Sequence, residues 1–194
     1  MLQGTVAIGG TSGDATFILR VQEDAAKLSA ALETAVDEGR IALADLFSTD
    51  YRQVPGSNPS QFLAPFTKLT DALFPLVQEA ALTLDPRVVF CAGVDRNGYL
   101  PTHNRKFSAA QGADPVWNAA NARNRRIFDD RVGLKAGRST APFLLQVYRR
   151  DMGGGEFRMM KDLSAPIRVK GRHWGGLRSG FVDEPVETVI PGRA

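Results

Sequence analysis

The spacing of the apolar residues changes at Pro86, and this change constrains the fold more than any other feature of the chain. Before Pro86, apolar residues recur at intervals of three and four, which is the period of an amphipathic helix. After it, runs of β-branched and aromatic residues alternate with Gly-containing turns, as strands do. Helices gathered first and strands gathered afterwards predict an α+β domain with an antiparallel sheet.

Two helices are predicted ahead of the sheet. The first begins at Asp14 or Thr16 and ends at Gly39, a suitable C-cap residue. Its apolar seam can pack on its own domain or form a dimer stem, because the spacing is that of a coiled coil. The second helix starts at the N-cap Asn58 and kinks at Pro75. The seam of the first helix consists of Ile18, Val21, Ala25, Leu28, Leu32 and Ala35.

The second half predicts a sheet of about five antiparallel strands. Its first hairpin turns at Asn97-Gly98, a strong hairpin signal. The long connection 103–142 contains one helix with Val116, Trp117, Ala120, Ile127 and Phe128, and it should cover the sheet and enclose a pocket. We therefore expect a flexible leader (1–15), a helical region (16–85), a sheet region (86–182) and a tail (183–194). The expected strands are 87–94, 99–102, 142–150, 156–162, 167–169 and 174–182.

Cysteine content and hydropathy indicate a cytoplasmic protein. Cys91 is the single cysteine and lies in an apolar run, which excludes a disulfide framework and favours a small buried side chain. No apolar run approaches the length of a membrane span, and residues 1–13 lack the features of a signal peptide.

Charge is distributed unevenly along the chain. Residues 1–85 carry 5 Lys/Arg against 11 Asp/Glu, whereas residues 121–180 carry 14 against 5. This asymmetry indicates an anionic partner, an anionic ligand, or one half of the fold neutralising the other.

Signatures of catalysis are absent from the sequence, so we do not expect an enzyme. His103 and His173 lie outside any metal-ligand spacing, and there is no GxSxG nucleophile motif. The run 153–155 (GGG) lacks the Lys-Ser/Thr of a phosphate loop and predicts a hairpin turn.

Arginines in the long connection are the strongest ligand-binding candidates. Arginine binds carboxylate or phosphate with two parallel hydrogen bonds. On a helix, Arg123 and Arg126 share a face, and an arginine entering a pocket beside Trp117 would suit a small carboxylate or an aromatic anion. Alternatively the arginines pair with Asp129, Asp130 and the acidic helices. The arginines of this connection are Arg123, Arg125, Arg126 and Arg131.

A second group of candidates follows the first turn. Tyr99, Thr102, His103 and Asn104 offer a phenol, a hydroxyl, an imidazole and an amide that could read a polar ligand. His103 alone could be a satisfied core or loop histidine, or it could instead bind haem iron or change its charge near neutral pH. Non-covalent haem stays open because only covalent attachment needs the absent CxxCH motif.

Five blocks of this sequence resemble the sensory region of certain bacterial methyl-accepting chemotaxis proteins. The order of its last strands is also similar to the end of a Cache domain, a PAS-like sheet behind a long N-terminal helix. Methylation helices and a kinase-coupling hairpin are not found, so we expect an excised or stand-alone sensory domain. The blocks are 95–104 (DRNGYLPTHN), 124–130 (NRRIFDD), 148–155 (YRRDMGGG), 161–167 (KDLSAPI) and 171–178 (GRHWGGLR).

The resemblance implies a PAS/Cache-like, cytoplasmic, ligand-sensing domain. Its expected partners are a small, anionic ligand, a second copy bound through the N-terminal helix, and chemoreceptor signalling components. The alternatives are a haem-binding redox or gas sensor using His103 and a nucleic-acid binder using the basic half, with Phe143, Tyr148, Phe157 and Trp174 as its aromatics. We expect neither membrane nor nucleic-acid binding.

Overall fold

The computed structural model describes residues 5–7, 12–153 and 156–183, and they form an α+β arrangement as predicted. The helices are α1 (Ala15–Asp37), α2 (Leu43–Leu46), α3 (Thr67–Leu73), α4 (Pro75–Ala81), α5 (Pro115–Asn121) and α6 (Arg131–Arg138). The strands are β1 (Thr5–Ala7), β2 (Arg52–Gln53), β3 (Phe62–Leu63), β4 (Val88–Asp95), β5 (Tyr99–Leu100), β6 (Arg126–Ile127), β7 (Leu144–Gly153), β8 (Glu156–Val169) and β9 (Arg172–Val182).

Four long antiparallel strands make up the main sheet, in the order β7-β8-β9-β4. The three-residue β1 pairs with β7 at the outer edge, with Thr5 opposite Val147. The sheet therefore has four full strands instead of about five, and the predicted leader contributes its edge. Of the predicted tail, Asp183 is described, and 184–194 lie outside the described residues.

β8 is one continuous strand, and the prediction of separate strands at 156–162 and 167–169 is wrong. Pro166 suggests a break because proline lacks an amide hydrogen. At this point, however, β8 has a partner on one side: Pro166 lies opposite Gly176 of β9, whereas pairing with β7 extends to Ser164. The strand can therefore continue through the proline.

α1 packs along β8 and β9 and buries the predicted seam within its own domain. Val21, Leu28 and Leu32 are at most 2 % exposed, and they share one core with Leu163 and Leu177 of the sheet. The intradomain alternative is thus confirmed for this face. Because the seam is already covered, a homodimer would need another face of α1.

The start of the second helix was predicted wrongly, whereas its break was predicted correctly. Residues 62–63 form β3, and the amide of Phe62 donates to the carbonyl of Arg125 at 2.6 Å, so this segment is extended. The helix begins at Thr67 and is interrupted at Phe74, where α4 starts with Pro75.

The predicted hairpin across Asn97-Gly98 does not form. The side chain of Asp95 accepts hydrogen bonds from the amides of Asn97 (2.8 Å) and Tyr99 (2.9 Å), and these bonds close a turn. The chain then leaves the main sheet, and β5 pairs with β6 of the long connection, with Tyr99 opposite Ile127.

The connection 103–142 contains α5, β6 and α6 in place of the single predicted helix. Its last helix, α6, packs on the face of the sheet opposite α1. A Cβ on Gly137 would lie 2.4 Å from the carbonyl oxygen of Asp95, and one on Gly176 would lie 2.5 Å from that of Ala136. Backbone therefore meets backbone, and the connection is held directly against β4 and β9.

Candidate functional site

The face of the sheet below this connection carries polar side chains. Side chains alternate between the two faces along a strand. Gln146 pairs with Asp162, and Ser164 pairs with Arg178, so these four residues share one face; Tyr148 lies two residues after Gln146 and joins them. Asp162 is fully buried, and Ser164 and Arg178 are 2 % and 8 % exposed.

A buried ion pair occupies the centre of this face. The Nη2 of Arg178 lies 2.6 Å from Oδ2 of Asp162, and Nε lies 3.2 Å from the same atom. Burial raises the pKa of Asp162, and the nearby guanidinium opposes that shift. Burial favours neutral Arg178, yet the carboxylate outweighs it and the pKa of Arg178 is raised. The charge of Arg178 is thus locally compensated.

Two hydroxyl groups lie beside this pair. The Oγ of Ser164 is buried without a hydrogen-bond partner among the described residues. Such an orphan group costs free energy unless something binds it. Burial and the charge of Asp162 raise the pKa of Tyr148 to about 12, so its phenol stays protonated at neutral pH.

His103 contacts this face from the covering connection. It is 5 % exposed, and its ring lies 5.8 Å from that of Phe90 and 4.8 Å from that of Phe107. Phe90 in turn lies under Arg178, with Cζ 5.6 Å from the ring centroid. Burial, followed by the positive charges of Arg123, Arg178, Arg150 and Lys106, lowers the pKa of His103 well below its ordinary value. The imidazole is therefore neutral at physiological pH.

Arg123 completes the arrangement. Its amide donates to the carbonyl of Phe107 at 2.7 Å, which places it next to His103. The partly buried guanidinium donates to the carbonyl of Ala119 at 3.2 Å and lies 5.1 Å from the ring of Phe128. Burial, Arg150, Arg126 and Arg178 lower the pKa of Arg123 to about 10, while Tyr148 opposes this shift. Within the described residues, no carboxylate pairs with it.

We call this group the polar cluster. Two predicted residues, Arg123 and His103, belong to it. Sequence reasoning missed the sheet residues, although polar residues at alternate positions of an apolar strand could have indicated them. The polar cluster comprises His103, Arg123, Tyr148, Arg150, Asp162, Ser164 and Arg178.

Arg126 lies beside the polar cluster. Its guanidinium also donates to Ala119, at 3.2 Å, and lies 4.8 Å from the ring of Phe128. Arg123 and Arg126 therefore share contacts, although they do not lie on one helix as predicted. Burial lowers the pKa of Arg126.

Three other predicted ligand contacts are engaged elsewhere. The hydroxyl of Tyr99 lies 2.8 Å from Oγ1 of Thr67, and that of Thr102 lies 2.6 Å from Oδ1 of Asp71. The amide side chain of Asn104 accepts from the amide of Cys91 at 2.8 Å and donates to the carbonyl of Gln78 at 2.9 Å. Because their polar groups already have protein partners, the geometry adds no support for a ligand role. That role stays a prediction.

The remaining predicted residues are exposed to solvent or paired with a carboxylate. Trp117 is 46 % exposed on α5, and Arg131 is exposed at the first position of α6. Arg125 pairs with Asp71 at 2.8 Å, so one of the four arginines follows the ion-pair alternative. Cys91 is buried as predicted, and burial raises the pKa of its thiol.

Comparisons with known proteins supply no relative. No protein-family model, curated protein or solved structure matches this chain. The resemblance to chemoreceptor sensory regions therefore stays a prediction.

Metal and haem binding find little support in the geometry. In the part of the chain that the structure describes, no three His, Cys, Asp or Glu side chains are grouped to hold a metal ion. The Nδ1 of His103 accepts a hydrogen bond from the amide of Asn104 at 2.7 Å. The ring proton is then on Nε2, whereas an iron ligand binds through an unprotonated nitrogen. His103 as placed does not fit haem ligation.

None of the described helices combines the length and apolar character needed to cross a bilayer.

Proposed function

We propose that this chain is a cytoplasmic ligand-sensing domain of the PAS/Cache type, related to chemoreceptor sensory modules, and that it binds a small anion at the polar cluster. It acts by binding rather than by catalysis. The support is a long N-terminal helix, an antiparallel sheet with a connection across one face, and the blocks that resemble those receptors.

Among the described residues no carboxylate pairs with the partly buried guanidinium of Arg123, and this observation carries the proposal. Removing a cation from water costs free energy unless an opposite charge compensates it. Arg178 has Asp162 for this purpose, whereas Arg123 has a carbonyl oxygen, and it also faces the positive charge of Arg150. A bound anion would supply the missing charge.

β8 provides a route from the polar cluster to α1. Asp162 and Ser164 belong to the polar cluster on one face of β8. Leu163 and Ala165, at alternate positions of the same strand, point to the other face and pack in the core with α1. If β8 can take two positions, a ligand that binds one of them more tightly would shift the equilibrium towards the matching arrangement of α1. The shift in free energy is at most the difference in binding free energy between the two positions. A second copy would bind to the outer side of α1, where Leu19 is 61 % exposed. The dimer would then pass the signal to chemoreceptor components.

A thermal-shift screen of metabolites and carboxylic acids tests the proposal. A ligand at 100 times its Kd should stabilise the fold by about 2.7 kcal/mol. Arg123→Gln should abolish the shift, whereas Arg131→Gln is a matched control that removes an exposed arginine from the same connection. Absence of any shift across the screen, or an equal shift in Arg123→Gln, would refute the proposal.

A further inference from the structure

The charges of the polar cluster restrict what an anionic ligand can carry besides its negative group. This reasoning rests on the proposed function. The one carboxylate inside the cluster, Asp162, is held by Arg178 through contacts of 2.6 and 3.2 Å. Asp130 accepts from two amides at the start of α6, each at 3.0 Å. An ammonium group would therefore meet the positive charges of Arg123 and Arg150, and among these residues no buried carboxylate is left unpaired to receive it, because Asp130 is exposed.

The donors of the polar cluster suit a single carboxylate. The Nη1 of Arg123 donates to the carbonyl of Ala119, and the flat guanidinium lies over the ring of Phe128. Among the described residues, the other N–H groups along the edge of the guanidinium have no partner. The free edge of a guanidinium matches the two oxygens of a carboxylate. Arg150, partly buried two residues beyond Tyr148 on the same face, is close enough to influence Arg123. A second anionic group would depend on Arg126, whose guanidinium already donates to Ala119 and lies over the ring of Phe128, because Arg178 is paired with Asp162.

The surroundings of Arg123 are apolar and aromatic. Phe90 is 7 % exposed and forms an apolar cluster with Leu100, against which Phe107 and Phe128 pack. His103, neutral and 5 % exposed, contacts the rings of Phe90 and Phe107. A ligand held here meets ring surfaces beyond its charged end, and these favour an apolar or aromatic body.

A buried hydroxyl adds an independent sign of a ligand. Ser164 is 2 % exposed, its Oγ has no partner among the described residues, and it lies opposite Arg178 on the face of the polar cluster. An oxygen atom of a ligand could satisfy it.

We propose that the polar cluster binds a monocarboxylate with an apolar or aromatic body, through Arg123 with Arg150 beside it, and that it discriminates against amino acids, dicarboxylates and phosphate esters.

Calorimetric titration of the intact chain with compounds that differ by one group tests this ligand class. Benzoate, 3-phenylpropionate and cyclohexanecarboxylate are the positive probes. Phenylalanine adds an ammonium group, terephthalate adds a carboxylate, phenyl phosphate changes the anion, and benzamide removes the charge. At least one positive probe should bind, and each altered compound should bind at least tenfold more weakly than its parent.

Variants locate the charged end. Arg123→Gln should weaken binding of the best probe at least tenfold and Arg150→Gln by a smaller factor, whereas Arg131→Gln should leave it unchanged. If Arg123→Gln fails to fold, the probe titrations of the wild-type protein still test the ligand class. Tighter binding of phenylalanine, terephthalate or phenyl phosphate would overturn the ligand class while leaving the sensor proposal standing. If neither these probes nor any compound of the thermal-shift screen binds, both proposals are refuted.

Discussion

Replacing His103 should remove a large part of the pH dependence of stability between pH 7.5 and 5.5. His103 is buried, and burial with the positive charges of Arg123, Arg178, Arg150 and Lys106 lowers its pKa well below 6.5 in the folded state. In the unfolded chain the imidazole regains a pKa of about 6.5. Below that pH the unfolded state binds the extra proton, so stability falls as the pH falls towards the folded pKa.

The magnitude follows from the linkage relation. A histidine that stays neutral in the fold and titrates with a pKa of about 6.5 when unfolded costs about 1.4 kcal/mol between pH 7.5 and 5.5. His103→Gln should lose this pH-dependent contribution, whatever the substitution does to the free energy of unfolding at pH 7.5. Other groups titrate equally in both proteins and cancel in the comparison.

Urea denaturation at both pH values measures this difference. The second histidine provides the control: His173→Gln should keep the pH dependence that depends on His103. If wild type and His103→Gln lose equal stability on acidification, His103 is not a buried neutral group, and the description of the polar cluster is wrong.

Four other outcomes are expected. Asp162→Leu and Arg178→Met should each destabilise by about 3–5 kcal/mol in urea denaturation, because each leaves a buried charge unpaired, and the double variant should cost far less than their sum; additive losses would contradict the ion pair. Gly176→Ala places a Cβ 2.5 Å from the carbonyl oxygen of Ala136 and should cost about 1–3 kcal/mol by thermal unfolding, while Gly112→Ala, with open space around it, should be neutral. Tyr99→Phe should cost about 1–2 kcal/mol through its lost bonds to Thr67 and to the carbonyl of Phe62, and it should leave ligand affinity unchanged; a selective loss of affinity would restore Tyr99 to the site. Haemin added to the purified protein should produce no Soret band that depends on His103. A band that is present in the wild type and lost in His103→Gln would show that the imidazole ring can turn to bind iron.

Local sequence signals predicted the helical half best. α1 follows its apolar seam and stops before Gly39, whose φ is +70°, because both features are local. Pro75 marks the break between α3 and α4 for the same reason. Asn58 resembles a helix start, but the segment that follows is tied to Arg125 across the molecule, and this contact cannot be deduced from the local pattern.

The site was predicted in part. Arg123 and His103 could be chosen because their side chains suit anion binding and they lie in the long connection. Tyr148, Ser164 and Arg178 were missed as site residues because their grouping depends on strand register, which places Ser164 opposite Arg178. Register is a tertiary property, set by the burial of one complete strand face.

The glycine contacts of α6 have a consequence for how a bound molecule could be admitted. Where a helix rests on a sheet through side chains, rotamer changes let it slide or tilt; here Gly137 and Gly176 leave no such cushion. α6 should therefore travel with β4 and β9 as one piece. An opening for a ligand should therefore lie earlier in the connection, where Arg123 and His103 lie in loops. The segment that moves to admit a ligand would then also be the segment that binds it.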